Sequence, residues 1–149
     1  MSLSQNETYT MAAPGPVPAR QDAPHLHNTV LDPSGKFILV PDLGADLVRV
    51  YAIQANSTSW KAQTPVKAVP GSGPRHGAFV VSGGSTFFYT LNEVGNSITG
   101  YNVTYSADWS MISLSQFFTF NSHGPNTTVP VGTKASEIQV SVSDYQADI

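Results

Sequence analysis

Histidine, arginine and glutamate side chains occur in three short motifs of this sequence, a combination that could bind an anion and move a proton. His27 ends the run Pro-His-Leu-His, Arg75 and His76 end the run Gly-Ser-Gly-Pro-Arg-His, and Glu93 ends the run Leu-Asn-Glu. A guanidinium holds a carboxylate or a phosphate through its planar fork of donors. A histidine that is neutral near pH 7 transfers protons more readily than an ordinary carboxylate. These residue types suit a reaction in which a proton moves while negative charge develops on a bound substrate.

Three of these residues are candidate catalytic residues, and each also has a structural alternative. His27 could instead fix the geometry between neighbouring repeats through backbone hydrogen bonds. Arg75 could form a structural ion pair with Asp42 or Glu93, and Glu93 could be a solvated loop residue. The functional hypothesis is that Arg75 holds an anion while His27 or Glu93 moves the proton.

Four further polar residues are candidates for substrate binding: His25, Asp42, His76 and Asn92. A structural or supporting role is the main alternative for His25 and His76. His25 and His27 share one face of a strand and could form a pair of metal ligands. The sequence places no third ligand nearby, so we predict no metal and no cofactor.

These motifs lie in a pattern of short β-strands and tight turns. Strands are predicted at residues 29–31, 37–40 and 47–53. Asp32 opens a turn of sequence Asp-Pro-Ser-Gly, in which the proline presets φ and the glycine suits the last position. The same order of strand, glycine-containing turn, strand, loop and strand returns over residues 76–101.

Matching residues recur along the chain at a regular spacing. Phe37 matches Phe87, and Tyr51 matches Tyr101, at an offset of 50 residues. A β-sandwich also has short strands and frequent turns, but it does not predict such matches. An all-β repeat of this length is typical of the blades of a β-propeller.

The two ends of the chain predict parts of further blades. A short strand is predicted at residues 7–11, before a proline-rich loop. A third repeat is predicted to start at 135–144, where Glu137 occupies the position of His76.

The repeat length predicts about three blades in the 149 residues. The predicted units are 1–22, the end of a blade, then 23–72 and 73–130, and finally 131–149, the start of a blade. Propellers close with about four to eight blades, so we expect an internal segment of a longer chain, with the remaining blades as its partners.

Composition and charge exclude several other classes of protein. Charged residues make up 11% of the chain, against about 25% in typical proteins, which disfavours a helical bundle. The net charge of −3 comes without a basic patch, so nucleic-acid binding is not expected. No apolar run is long enough to span a membrane, so no membrane partner is expected. The absence of cysteine excludes disulfides and thiolate metal sites.

Four N-glycosylation sequons are the main indication of the compartment: Asn6, Asn56, Asn102 and Asn126. They favour a secreted protein, whereas the first ten residues lack the basic start and apolar run of a signal peptide. Secreted and cytoplasmic locations therefore both stay open.

Four motifs in this order resemble those of the seven-bladed β-propeller lactonase family. They are His25-Leu-His27, Pro41-Asp-Leu-Gly-Ala-Asp46, Gly71-Ser-Gly-Pro-Arg-His76 and Leu91-Asn-Glu93. The family includes 6-phosphogluconolactonases and fungal-type 3-carboxy-cis,cis-muconate lactonizing enzymes. The resemblance extends from about Asp22 to the C-terminus.

The resemblance implies a site at the central channel that is built from neighbouring blades. Its His, Arg and Glu match His27, Arg75 and Glu93, and its substrate would be a small anionic sugar lactone or a muconate-type carboxylate. The family's site also includes an Arg from the following blade, which by the repeat spacing would lie a few residues beyond Ile149.

Three hypotheses about function follow. The first is a lactonase or lactonizing enzyme that is incomplete in this chain. The second is a propeller that binds ligands without catalysis, since a fold alone does not define an activity. The third is a truncated gene product without independent function.

Overall fold

The structure is a computed structural model that describes residues 5–55 and 58–141 of the chain. All regular elements in these residues are β-strands, nine in number. The strands are β1 (Val30–Leu31), β2 (Phe37–Asp42), β3 (Leu47–Ile53), β4 (Trp60–Ala62), β5 (Val66–Lys67), β6 (Pro74–Ser82), β7 (Ser85–Asn92), β8 (Ser97–Tyr105) and β9 (Ile112–Asn121).

The strands form two antiparallel sheets, in agreement with the all-β prediction. In the first sheet the order is β1-β2-β3-β4, and β5 also pairs with β3. In the second sheet the order is β6-β7-β8-β9. Strands β1 to β4 and strands β6 to β9 each form a meander in which successive strands are neighbours, as expected for blades that turn tightly at each end.

The turn between β1 and β2 shows how the sequence forms these hairpins. The Asp32 carboxylate accepts hydrogen bonds from the backbone N–H groups of Ser34, Lys36 and Phe37, at 3.0, 2.9 and 2.7 Å. The N–H of Gly35 donates to the Asp32 carbonyl at 2.9 Å, and φ at this glycine is 70°. The predicted role of Asp32 in the turn is confirmed.

The hydrophobic core lies between the two sheets. The first sheet contributes one face of β2 and β3, and the second contributes residues of β7, β8 and β9. Its buried members are Phe37, Leu39, Val48, Val50, Phe88, Tyr101, Val103 and Ile112. Because residues on a strand alternate between faces, one face of each sheet supplies this core.

The opposite face of the second sheet carries an exposed aromatic cluster. Phe87, Phe117, Phe118 and Phe120 form successive ring contacts there, and Phe120 is 66% exposed. Phe87 is the repeat equivalent of Phe37, which packs in the core between the sheets. The second sheet therefore presents the same kind of face that the first sheet uses for packing.

A polar and aromatic contact joins the outer parts of the two sheets. The Tyr105 hydroxyl donates to the Asp32 carboxylate at 2.9 Å, and its ring lies 4.8 Å from that of Trp109. Lys36 places its ammonium 4.5 Å from the centre of the Trp109 ring. Trp109 therefore packs at the edge between the two sheets, and Trp60 lies in the outer strand β4.

The predictions for the chain ends are not borne out as strands. Residues 7–11 form no strand. The Tyr9 hydroxyl lies 2.5 Å from that of Tyr51, and just before this segment the Gln5 side chain forms hydrogen bonds with the backbone of Trp60. Side-chain contacts there replace a backbone ladder. Residues 135–141 are also outside any strand, and the rest of the predicted 135–144 strand lies outside the described residues.

Candidate functional site

The candidate residues are positioned by equivalent backbone segments in the two sheets. In the first, the N–H of Leu43 donates to the carbonyl of His25 at 2.9 Å, beyond the end of the β1–β2 ladder. In the second, the N–H of Glu93 donates to the carbonyl of Gly73 at 2.8 Å. Each segment thus places the start of an inner strand beside the end of the next strand. Residues from both sheets therefore meet at the same edge of the molecule.

Glu93 is at the centre of a charged cluster. Its side chain is only 6% exposed, and Arg75 Nε lies 3.0 Å from its Oε2 atom. This contact is an ion pair without an aligned hydrogen bond. Arg20 donates from Nη2 to the other oxygen, Oε1. Arg75 also donates from Nη1 to the carbonyl of Ser136 at 2.5 Å. The buried carboxylate is thus held between two guanidinium groups.

His27 lies in the electrostatic field of this cluster. Its side chain is exposed at the edge of a cleft of about 350 Å³, which Tyr9, Val40 and Tyr51 also line. Partial burial is the largest cause that lowers the pKa of His27 below its usual 6.5, and the positive charge of Arg75 is the second. The neutral imidazole, which can accept a proton, is therefore favoured.

The other two predicted histidines each pair with a carboxylate. His25 Nε2 lies 2.8 Å from Asp22 Oδ1 at the surface. His76 Nδ1 lies 2.8 Å from Glu137 Oε2, and this contact lowers the pKa of Glu137. His76 lies next to Arg75 in the chain, so the second pair borders the cluster, whereas the first is a surface contact.

Asp42 and Asn92, both predicted to bind substrate, are buried. Asp42 accepts hydrogen bonds from the N–H of His25 at 2.8 Å and from Arg49 Nε at 2.8 Å. Asn92 donates to the hydroxyl groups of Ser97 and Thr99, at 3.0 and 2.9 Å. Both side chains hold neighbouring strands and loops in place, beside rather than within the cluster.

Asp46 fixes the loop that leads to Arg75. Its carboxylate accepts hydrogen bonds from the N–H groups of Gly71 and Gly73 at 2.6 and 2.8 Å. Asn96, 50 positions later, likewise has a positive φ and accepts from the N–H of Ala135 at 2.9 Å. The two loops therefore use equivalent residues to hold the segment that follows each sheet.

Comparison with known proteins decides between the possible all-β architectures. The model of the family described as Lactonase, 7-bladed beta-propeller, matches residues 2–146. The chain belongs to this lactonase family. The β-sandwich alternative is thereby excluded.

Several relatives in the lactonase family have named activities. A protein of Arthroderma benhamiae described as a probable 6-phosphogluconolactonase is 42% identical over 101 residues, covering 67% of this chain and 25% of the relative. The 6-phosphogluconolactonase of Formosa agariphila is 27% identical, covering 74% of this chain and 33% of its own. The solved periplasmic gluconolactonase of Pseudomonas aeruginosa matches with a TM-score of 0.65 and 27% identity, over 83% of this chain and 33% of its own. The chain thus spans about a quarter to a third of the length of these lactonases.

Arg20 is the member of the cluster that sequence reasoning missed. It lies in a proline-rich stretch that we interpreted only as a loop, and 73 residues separate it from Glu93. Its sequence signal is that it is the one charged residue between positions 11 and 21. Only the folded chain brings it to Glu93.

The described residues contain no group of three or more His, Cys, Asp or Glu side chains placed to hold a metal ion. In the same part of the chain, no helix is long and apolar enough to cross a membrane. Among the sequons, Asn6, Asn102 and Asn126 are exposed, and Asn56 lies outside the described residues.

Proposed function

We propose that this chain forms one side of the substrate cleft of a seven-bladed lactonase that hydrolyses a small anionic sugar lactone. The observation that carries the proposal is the contact between Arg75 and the buried Glu93 at the ends of inner strands. His27 is close enough for the charges of both residues to act on its pKa. The names of the relatives support hydrolysis rather than cyclisation of a muconate-type acid. The remaining blades would cover the aromatic face of the second sheet and complete the channel.

In hydrolysis, a water oxygen forms a bond to the lactone carbonyl carbon, and the bond from that carbon to the ring oxygen breaks. His27, in its neutral form, takes a proton from the attacking water and returns it to the departing ring oxygen. Arg75 stabilises the negative charge that develops on the carbonyl oxygen during the attack. The new carboxylic acid then releases the second water proton to solvent, and Arg75 can bind the resulting carboxylate. Glu93 holds Arg75 in place, since its Oε2 atom is already in contact with that guanidinium.

The test measures hydrolysis of 6-phosphogluconolactone by the seven-bladed protein that contains this segment. Replacing His27 by Gln or Arg75 by Ala is expected to lower kcat/KM by about 100-fold or more, the usual effect of losing a proton-transfer group or an oxyanion donor. Lys67→Gln, an exposed charge on β5 in the outer part of the first sheet, is the matched control. Full activity of Arg75→Ala would exclude this assignment of the site.

A second candidate function is anion binding without catalysis. It is favoured by the occupancy of both Glu93 oxygens by arginines, which suits a fixed binding site as well as a reactive one. Calorimetric titration with 6-phosphogluconate distinguishes the two functions. Binding that Arg75→Ala abolishes, in a protein that turns over no lactone, would support this second function.

A further inference from the structure

The two arginines of the cluster are compensated unequally by carboxylates. Arg20 and Arg75 contribute two positive charges, and the buried Glu93 between them contributes one negative charge. The nearby Glu137 lies 2.8 Å from His76, and the contact with His76 and the positive charge of Arg75 both lower its pKa, so a second carboxylate acts on Arg75. Within the described residues Glu93 is the only carboxylate in contact with Arg20, and Arg20 shares it with Arg75.

Arg20 has more unused donors than Arg75. Its side chain is 45% exposed, against 25% for Arg75. Within the described residues, its guanidinium donates only to Glu93, through Nη2. Arg75 contacts Glu93 and also donates to the carbonyl of Ser136. A guanidinium has five N–H donors, so Arg20 can hold Glu93 and a ligand oxygen at the same time.

The backbone around Arg20 is fixed independently of the ion pair. The adjacent Gln21 is fully buried; its side-chain amide donates to the carbonyl of Leu43 at 3.0 Å, and its Oε1 accepts from the N–H of Val17 at 3.0 Å. The N–H of Arg20 donates to the carbonyl of Val17 at 2.9 Å. This loop is therefore expected to stay folded when the Arg20 side chain is changed.

We propose that Arg20 determines specificity by binding the phosphate or carboxylate of the substrate. This inference rests on the proposed function, since it assigns a role at the same site. Arg20 reaches the site from a loop before the first sheet, whereas Arg75 and Glu93 belong to the second sheet. Because the two arginines contact different oxygens of Glu93, Arg20 can bind a group of the ligand other than the ester that Arg75 binds.

The test compares two lactones that differ in charge, in the seven-bladed protein that contains this segment. Arg20→Gln is expected to lower kcat/KM for 6-phosphogluconolactone about tenfold, or about 1.4 kcal/mol, mainly through KM, and to leave the neutral glucono-δ-lactone unaffected. Arg20→Lys should retain part of the effect, because an ammonium keeps the charge but loses the planar fork. Lys67→Gln removes an exposed charge elsewhere and should change neither substrate.

A purely structural role of Arg20 predicts a different result. Arg20→Gln would then lower kcat/KM equally for both lactones, or would lower the melting temperature without changing the ratio of the two kcat/KM values. Either result would overturn the proposal. Titration with 6-phosphogluconate separates this question from catalysis. If the wild-type protein hydrolyses no lactone but Arg20→Gln still weakens binding about tenfold, the hydrolase proposal fails and the role of Arg20 stands. Unchanged binding by Arg20→Gln, or no binding by the wild-type protein, would overturn it.

Discussion

Replacement of Asp46 tests how the fold holds the loop of Gly71 and Gly73, which leads to Arg75. Asp46 is 8% exposed, and its two carboxylate oxygens accept from the N–H groups of Gly71 and Gly73. A hydrogen bond to a charged group contributes about 1.5–3 kcal/mol. Gly71 can regain water when the carboxylate is removed, so we expect the lost hydrogen bonds in Asp46→Ala to cost about 3 kcal/mol.

The backbone at this position adds a second, smaller contribution. Asp46 has a φ of 52°, in the left-handed region. An alanine in this backbone conformation is destabilised by about 1 kcal/mol. Asparagine adopts the same conformation more readily, and its side chain keeps one acceptor oxygen. We therefore expect Asp46→Ala to lose about 4 kcal/mol of unfolding free energy and Asp46→Asn about 1–2 kcal/mol. Asp22→Ala, which removes an exposed carboxylate that pairs with His25, should leave the unfolding free energy nearly unchanged, because solvent screens this pair.

Urea unfolding of the chain measures these differences, provided that the slope against urea concentration is unchanged. Hydrogen exchange at Gly71 and Gly73 gives a local measure, since both amides should exchange faster in Asp46→Ala than in Asp22→Ala. If Asp46→Ala lost less than about 1 kcal/mol and left both amides protected, these hydrogen bonds would not hold the loop, and the account of how Arg75 is positioned would be wrong.

Three further predictions concern the core, the histidine and the contact between sheets. Phe88→Ala should lose about 3–5 kcal/mol in the same urea experiment, because Phe88 is fully buried in the core; a loss below 1 kcal/mol would contradict this packing. An NMR titration of His27 should give a pKa below 6.5, because burial and then the Arg75 charge disfavour its protonation. Arg75→Gln removes the repulsion between the two charges, so the pKa of His27 should rise in this variant. An unchanged pKa would show that the two charges do not interact. The pKa of the Tyr105 phenol should be about 12, since burial and then its hydrogen bond to Asp32 raise it; ultraviolet titration of the wild type against Tyr105→Phe measures it, and a value near 10 would argue against the contact.

Much of the fold follows from local sequence patterns. Strand β3 lies at the predicted residues, and β2 extends only two residues beyond the predicted end. Short apolar runs rich in β-branched residues, with a well-defined turn before β2, determine both strands. The matches of Phe37 with Phe87 and of Tyr51 with Tyr101 place each pair on equivalent strands. Residues 7–11 were predicted wrongly, because their strand propensity is overridden by side-chain contacts with the first sheet.

The sequence by itself determined the residue types of the candidate site and the repeat that brings them to one edge. His27, Arg75 and Glu93 could be named because each lies at a strand end marked by a short motif. Their interactions were decided by the tertiary structure. Arg20 and Glu93 are far apart in sequence, and an ion pair depends on distance and burial, which local patterns do not encode. The charged cluster that we propose as the anion site therefore exists only in the folded chain.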